Sequence, residues 1–235
     1  MQYSAVVFDL FHTIVDPEDF RPKDHHRGEQ VAKLLRVDVA KFSSYWSTTL
    51  SIRNTSGSMT PIHLVERFLA EEGLTRDKEL LAKVGYELGR FQDMALLNPR
   101  LEVVSALRSL RDQGLKLGLL TNCDLREVWQ WPNSPIAPLF HSACFSYEIG
   151  VMKPGVRAYE TVLERLGEIA KSSVYVGDGG SDELEGAKAA GFKLTVFMEG
   201  FVASNRLRSP DEIQGFRREA DVTIRGLEEL VSLLI

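Results

Sequence analysis

The stretch "AVVFDLFHTIVD", residues 5–16, places an aspartate at the end of an apolar run. "AVVFDLF" (5–11) is apolar around Asp9 without alternation, the pattern of a strand covered on both faces, as in a parallel sheet. A carboxylate in that position is costly to bury unless something nearby rewards it. Asp9 therefore calls for a partner, and Phe11, two residues on, has no acid–base chemistry to offer.

Similar runs recur along the chain: "LKLGLLTN" (115–122), "SACFS" (142–146), "SVYVGD" (173–178), "KLTVFM" (193–198) and "DVTI" (221–224). Helical patterns lie between them. "LEVVSALRSLRDQG" stops at Gly114, "VRAYETVLERLG" stops at Gly167, and "SDELEGAKAAG" starts with Ser181 as cap and stops at Gly191. Strands alternating with helices of this length predict an α/β fold, a Rossmann-like doubly wound parallel sheet.

The alternation breaks once. From residue 16 to residue 96 the chain reads as successive helices, "EQVAKLLRV", "VAKFSSYWSTTLSIR", "PIHLVERFLAEEG" and "DKELLAKVGYELGRFQDMAL". Asp16-Pro17 enters this block and Asn98-Pro99 leaves it, both boundary signals. The expected organisation is an α/β core of residues 1–15 plus 97–235 and an inserted all-helical domain of residues 16–96. Phe42, Tyr45 and Trp46 stand at helical spacing and are expected to pack the inserted domain's own core.

Bulk properties narrow the function classes. The chain has 235 residues, 44% hydrophobic and 26% charged, with a formal charge of −5. That acidic balance argues against a nucleic-acid partner. Cys123 and Cys144 are too few for a disulfide framework and suggest a reducing compartment. "MQYSAVVFDL" lacks the basic start and long apolar core of a signal peptide. No window approaches the roughly 18 apolar residues of a membrane span. A cytoplasmic location is expected, and "GLEELVSLLI" reads as a final amphipathic helix.

In an open parallel sheet, ligands sit at the carboxyl ends of the strands. There the first strand delivers Asp9, the second Thr121 and Asn122, and another Asp178, while Lys153 arrives from the loop "SYEIGVMKPG". Singly each is ordinary: an aspartate after a strand is most often a cap or turn former. Together, two carboxylates on one edge repel unless a cation is present. A hard divalent ion such as Mg2+, which takes few carboxylates plus water and phosphate oxygens, resolves the conflict. Lys153 and the Thr121 hydroxyl would face the oxygens of a bound phosphoryl group, the parts of a phosphoryl-transfer site.

On these residues the sequence resembles the haloacid dehalogenase-like hydrolase superfamily, at four places in order. "FDLFHT" is similar to the first motif, with Asp9 at the nucleophile and Thr13 closing it. "LLTN" is similar to the second, with Thr121 as phosphate-binding hydroxyl. "GVMKPGVRAYE" is similar to the third, with Lys153 as charge stabiliser. "VYVGDGGSDELEGAKAAGF", the most specific, is similar to the fourth, with Asp178 as metal ligand and Asp182 supporting it. The helical block resembles the family's cap. The resemblance implies a Mg2+-dependent phosphatase for a small phosphorylated metabolite, working as a monomer or homodimer, with an aspartyl-phosphate at Asp9. It further implies a metal held by Asp9, the Phe11 backbone carbonyl and Asp178, and a phosphate held by Thr121, the Asn122 N–H and Lys153.

Phe11 departs from the pattern, because the family's phosphatases usually carry a second aspartate there as acid and base. Losing such a group typically forfeits about 10²–10⁴ in rate. Three explanations are open: substrates with good leaving groups such as acyl phosphates, a substitute in His12 or His63, or a weak catalyst that chiefly binds a phosphate ligand. On an extended chain His12 would alternate away from Asp9, and His25 and His26 are expected to face solvent. The family's dehalogenase branch also carries an aromatic at position 11, but the intact "GDGGSD" has little purpose in that metal-free mechanism. The cap lysines Lys23, Lys33 and Lys41 show no special placement. Arg53 would be either a solvated helix end or a reach toward an anionic substrate. Trp129 and Trp131 would either line the cleft mouth or pack.

Overall fold

Six parallel strands form one sheet in the computed structural model, which describes residues 3–205 and 207–235. They are β1 (Ala5–Phe8), β2 (Lys116–Thr121), β3 (Ser142–Phe145), β4 (Ser173–Gly177), β5 (Leu194–Met198) and β6 (Val222–Ile224), in the order β3-β2-β1-β4-β5-β6. Each falls inside a run expected from the sequence. The first two residues of the expected core segment lie outside the described residues.

The continuous apolar runs follow from burial on both sides. Val6 and Phe8 of β1 face one cluster with Leu107, Leu110 and Leu230; Ala5 and Val7 face another with Tyr159, Val162, Leu166 and Leu184. The first cluster is covered by α-helices 101–112 and 227–234, the second by helices 156–166 and 183–189. This is the doubly wound arrangement.

Between β1 and the helix at 101–112 come α1 (Arg27–Leu35), α2 (Val39–Thr48), α3 (Leu50–Thr55), α4 (Pro61–Glu71) and α5 (Lys78–Leu97). They enclose their own apolar cluster of Val31, Leu35, Phe42, Trp46, Leu64, Phe68, Val84 and Leu88. Phe42 stacks on Trp46 and meets Phe68 edge-on, and Tyr45 lies against Phe68, so these aromatics pack the helical cap. At its far end α5 changes allegiance: Ala95 and Leu96 belong to the cluster under the sheet. The core helices are α6 (Leu101–Asp112), α7 (Ser146–Ile149), α8 (Val156–Leu166), α9 (Glu183–Ala189), α10 (Glu199–Asn205), α11 (Pro210–Glu219) and α12 (Leu227–Leu234).

Two expectations about these elements need correction. His25 does not face solvent: its ring bonds Glu87, meets Phe91 edge-on, and leaves 6% of its side chain exposed. Ser181 does not cap α9; it sits in a left-handed turn with φ 56°, followed by Asp182 at φ 51°. Trp131 is buried against Phe140 and Phe145, whereas Trp129 is 60% exposed. Both cysteines are free and buried. Among the described residues no helix is long and apolar enough to cross a membrane.

Candidate active site

The register sets the site. Phe8 pairs with Leu119 of β2 and Val176 of β4, so Asp9, Thr121 and Asp178 emerge side by side at the carboxyl ends of neighbouring strands. Strands in a sheet lie about 4.8 Å apart, close enough for their side chains to share a ligand. Asp9, Phe11, His12, Thr121, Asn122, Lys153, Asp178, Gly180, Glu183 and Arg208 are among the residues that line one cavity of about 150 Å³.

Lys153 is held from several sides. Its backbone is clamped by Asn122, which accepts the Lys153 N–H at 2.8 Å and donates Nδ2–H to the Lys153 carbonyl at 2.9 Å. Its Nζ donates to Asp9 Oδ1 at 2.6 Å, to Glu183 Oε2 at 2.5 Å and to the Tyr175 hydroxyl at 3.0 Å. An ammonium has three protons, so all are directed at protein acceptors. The Asn122 side chain likewise serves Lys153, leaving only its backbone N–H for a ligand.

Glu183 was not singled out from the sequence, and the structure puts it where Asp182 was expected. One carboxylate oxygen from each of Asp9, Asp178 and Glu183 lies within 4.8 Å of the others, and all three residues are buried. Asp182 is exposed and outside this group. The cause is local. Ser181 and Asp182 both adopt left-handed backbone before α9, which turns Glu183 inward. The signal available in the sequence was helical phase, since Glu183 shares its inward face with Leu184 and Ala187 of the apolar cluster.

Burial pushes the Asp9 carboxyl above the ordinary range, against the pull of the Lys153 ammonium and with help from the Asp178 charge. Burial raises Glu183 as well, again opposed by Lys153. Burial would lower Lys153, but the charges of Asp9 and Glu183 outweigh it and hold the ammonium protonated. The Lys153 ammonium and the Arg208 guanidinium, 3.7 Å from Asp178 Oδ2, offset part of the charge of the three buried carboxylates, and the negative charge left over suits a cation.

The carboxylate oxygens of this group differ in how far the protein engages them. Glu183 is engaged on both oxygens, by Lys153 and Tyr175 on Oε2 and by the Gly179 N–H on Oε1 at 3.0 Å. Asp9 Oδ2 has only a long contact from the Thr13 hydroxyl at 3.3 Å. Asp178 accepts the Gly180 N–H on Oδ1 at 3.0 Å, and its Oδ2 accepts no hydrogen bond among the described residues. The Phe11 carbonyl is similarly free. The donor set is oxygen only, as a hard ion requires.

His12 is nearer the chemistry than an extended chain would allow. β1 ends at Phe8, and His12 turns at φ 62°, so the alternation expected of a strand does not apply. His12 is among the residues that line the cavity, and its Nδ1 bonds Asp16 Oδ1 at 3.0 Å. Burial would lower the His12 pKa, but the hydrogen bond and charge of Asp16, with Asp178 and Asp9, raise it above the ordinary value. His63 lies elsewhere, exposed in the capping box of α4.

Arg53 is neither a solvated helix end nor a ligand of the cavity. It is 6% exposed, stacked 4.0 Å from the Trp46 ring centroid, with Nε 3.4 Å from Asp124 Oδ2. Arg27 pairs with Glu127 at 3.0 Å, and Arg126 donates to Asp93 and to the Gly85 carbonyl. The cap thus grips the loop that follows Thr121 and Asn122 through three charged contacts.

A family model described as haloacid dehalogenase-like hydrolase matches residues 3–191. Over 218 residues the chain is 31% identical to a glyceraldehyde 3-phosphate phosphatase from Methanopyrus kandleri, covering 90% of this chain and 91% of that one. It is 32% identical over 139 residues to (S)-2-haloacid dehalogenase 2 of a Pseudomonas, covering 59% and 56%. The crystal structure of a HAD phosphatase from Thermococcus onnurineus shares the fold, with a TM-score of 0.62 at 23% identity over 98% of this chain and 97% of that one. The four stretches that converge on the cavity and the match along most of the chain make this protein a member of the haloacid dehalogenase-like hydrolases.

Proposed function

We propose that this protein is a Mg2+-dependent phosphatase acting on a small phosphorylated metabolite. The observation that carries the reading is the buried pair of Asp9 and Asp178, each with a carboxylate oxygen that accepts at most one long hydrogen bond, beside a fully engaged Lys153. Asp9, the Phe11 carbonyl and Asp178 would hold the ion, which when bound neutralises their charge and that of the phosphate.

Asp9 attacks phosphorus with a carboxylate lone pair; the bond from phosphorus to the leaving oxygen breaks and an aspartyl-phosphate forms. Water then cleaves the acyl phosphate and regenerates the carboxylate. Lys153 fixes the Asp9 carboxylate through Oδ1 and offsets its charge. The Thr121 hydroxyl and Asn122 N–H hold the transferring oxygens. Asp182 has no part in this scheme, and Glu183 takes the supporting position by aiming Lys153.

Phe11 moves no proton. We assign that task to His12, whose Nδ1 is oriented by Asp16 and whose Nε2 bears no hydrogen bond among the described residues. An aspartate that fixes a histidine tautomer is a recurring arrangement for acid–base work. Residues 16–96 would act as a cap over the core of residues 1–15 and 97–235, excluding water during turnover. The name of the Methanopyrus relative puts a phosphorylated three-carbon aldehyde among the first compounds to try.

The experiment is hydrolysis of p-nitrophenyl phosphate and acetyl phosphate, with and without Mg2+, by wild type and Asp9→Asn. Metal- and Asp9-dependent turnover supports the reading; none with either compound points to a phosphate-binding module. The aromatic at position 11 favours one rival, a 2-haloacid dehalogenase, for which metal-free chloride release from 2-chloropropionate is the test.

A further inference from the structure

Arg208 enters the cavity from outside the four sequence stretches that define the site. It precedes α11, whose capping box fixes the chain there: Ser209 N–H donates to Glu212 Oε2 at 2.8 Å, and Glu212 N–H donates to Ser209 Oγ at 3.2 Å. The guanidinium carbon lies 6.0 Å from the Phe216 ring centroid, and Phe216 packs against Phe197 of β5. Gly180 leaves it room, because a Cβ at that position would stand 3.0 Å from Arg208 Nη2. Gly179, at φ 86°, lets the loop pass the Phe216 ring, where a Cβ would come within 2.5 Å.

The placement is built, yet the donors are idle. Among the described residues the Arg208 guanidinium makes no hydrogen bond; its nearest acceptor, Asp178 Oδ2, is 3.7 Å from Nη2, beyond hydrogen-bond range. Arg208 Nε is buried without a partner. The other cation of the cavity, Lys153, has all three protons engaged by the protein. A guanidinium with unused donors beside a cavity is arranged for a planar or tetrahedral oxyanion.

Its position decides which oxyanion. Thr121 and Asn122 lie past β2, Asp9 past β1, and Asp178 past β4, in the strand order β2-β1-β4. Arg208 stands on the Asp178 and Gly180 side, about two strand spacings, or roughly 10 Å, from the Thr121 end. A phosphoryl group seated over Asp9 and Thr121 leaves Arg208 to meet another part of the same molecule. Resting on the phosphatase reading above, we infer that Arg208 binds a second anionic group of the substrate, a carboxylate or another phosphate, and so sets specificity for doubly anionic phosphate esters over those with neutral tails.

The test is calorimetric binding, with Mg2+ present, of three matched phosphonates: propylphosphonate, 3-phosphonopropanoate and 1,3-propanediphosphonate. Wild type should bind an anionic-tailed ligand about 10- to 100-fold more tightly than propylphosphonate, as a charge-assisted pair contributes. Whichever of the two is preferred identifies the tail. In Arg208→Gln the preference should fall to within about 2-fold, while Arg208→Lys should keep part of it. Because the readout is a ratio within one protein, loss of folded material does not mimic the result. Equal binding of all three by wild type, or a preference that survives Arg208→Gln, overturns the inference. Failure of the phosphatase reading shows separately, as absence of Asp9-dependent hydrolysis of acetyl phosphate while the binding preference persists.

Discussion

Lys153 and Glu183 form a buried ion pair, Nζ to Oε2 at 2.5 Å, with only 2% and 1% of their side chains exposed. The lysine therefore reaches Asp9 already oriented, by a residue on the helix that follows β4. A charge aimed in advance requires no reorganisation when the reaction occurs.

Glu183→Gln keeps the shape and removes the charge. Lys153 is then left with Asp9 as its one anionic partner, and its aim loosens. Turnover should fall about 10- to 100-fold, the range for loss of a supporting contact at such a site. Steady-state kinetics checks this, with circular dichroism to confirm that the variant is folded.

Asp178→Asn removes a free carboxylate oxygen from the proposed ion site while leaving its shape. The Mg2+ concentration needed for half-maximal turnover should rise at least about 10-fold. Titration of activity with Mg2+ after chelator treatment measures it; an unchanged requirement would remove Asp178 from the ion site.

Phe11→Asp supplies the side chain that the family's phosphatases usually carry. Because His12 already supplies the leaving-group proton, the ratio of monoester to acetyl phosphate turnover should stay within about 3-fold of wild type, far from the roughly 10²–10⁴ that a missing acid–base group would restore. His12→Asn should move the same ratio downward. A ratio unmoved by His12→Asn would end the case for His12 as the proton donor.

Arg53→Met leaves the Asp124 carboxylate buried without its nearest cation. Removing one partner of a buried pair costs about 3–5 kcal/mol, here eased by Arg27, which also faces Asp124. Chemical denaturation should register a loss of about 2–4 kcal/mol, and the double variant Arg53→Met, Asp124→Asn should recover part of it.

Asp124 also gives stability a pH dependence. Burial first, then the Glu127 charge, push its carboxyl from 3.8 up to about 7, against the pull of Arg27 and Arg53. Between those values the unfolded chain binds fewer protons at this residue than the folded one, so the residue's contribution becomes less favourable as pH rises. Asparagine does not titrate. The melting temperature of wild type relative to Asp124→Asn should therefore drop by a few degrees between pH 4.5 and pH 8.

Much of this architecture is legible in the residues. Runs such as "SVYVGD" and "KLTVFM" are apolar throughout because each face of the sheet is covered, and they became β4 and β5. Phe42, Tyr45 and Trp46 declared a helical core by their spacing. Asp9, Thr121, Lys153 and Asp178 follow strands, and parallel strands bring their ends together.

What local pattern could not supply was direction. Two left-handed residues, Ser181 and Asp182, turn Glu183 into the site and Asp182 out of it. A third, His12, bends the chain at a residue that lines the cavity. Arg53 and Asp124 are 71 positions apart, and Arg208 lies 30 beyond Asp178. The sequence by itself determined the strands, the helical insertion and the residues at the strand ends, because periodicity and apolar burial act over a few neighbours at a time. Only the tertiary structure decided which acid aims Lys153, that Asp16 orients His12 and that Arg208 keeps a guanidinium without a hydrogen bond among the described residues, because those outcomes depend on backbone turns and on packing between segments distant in the chain.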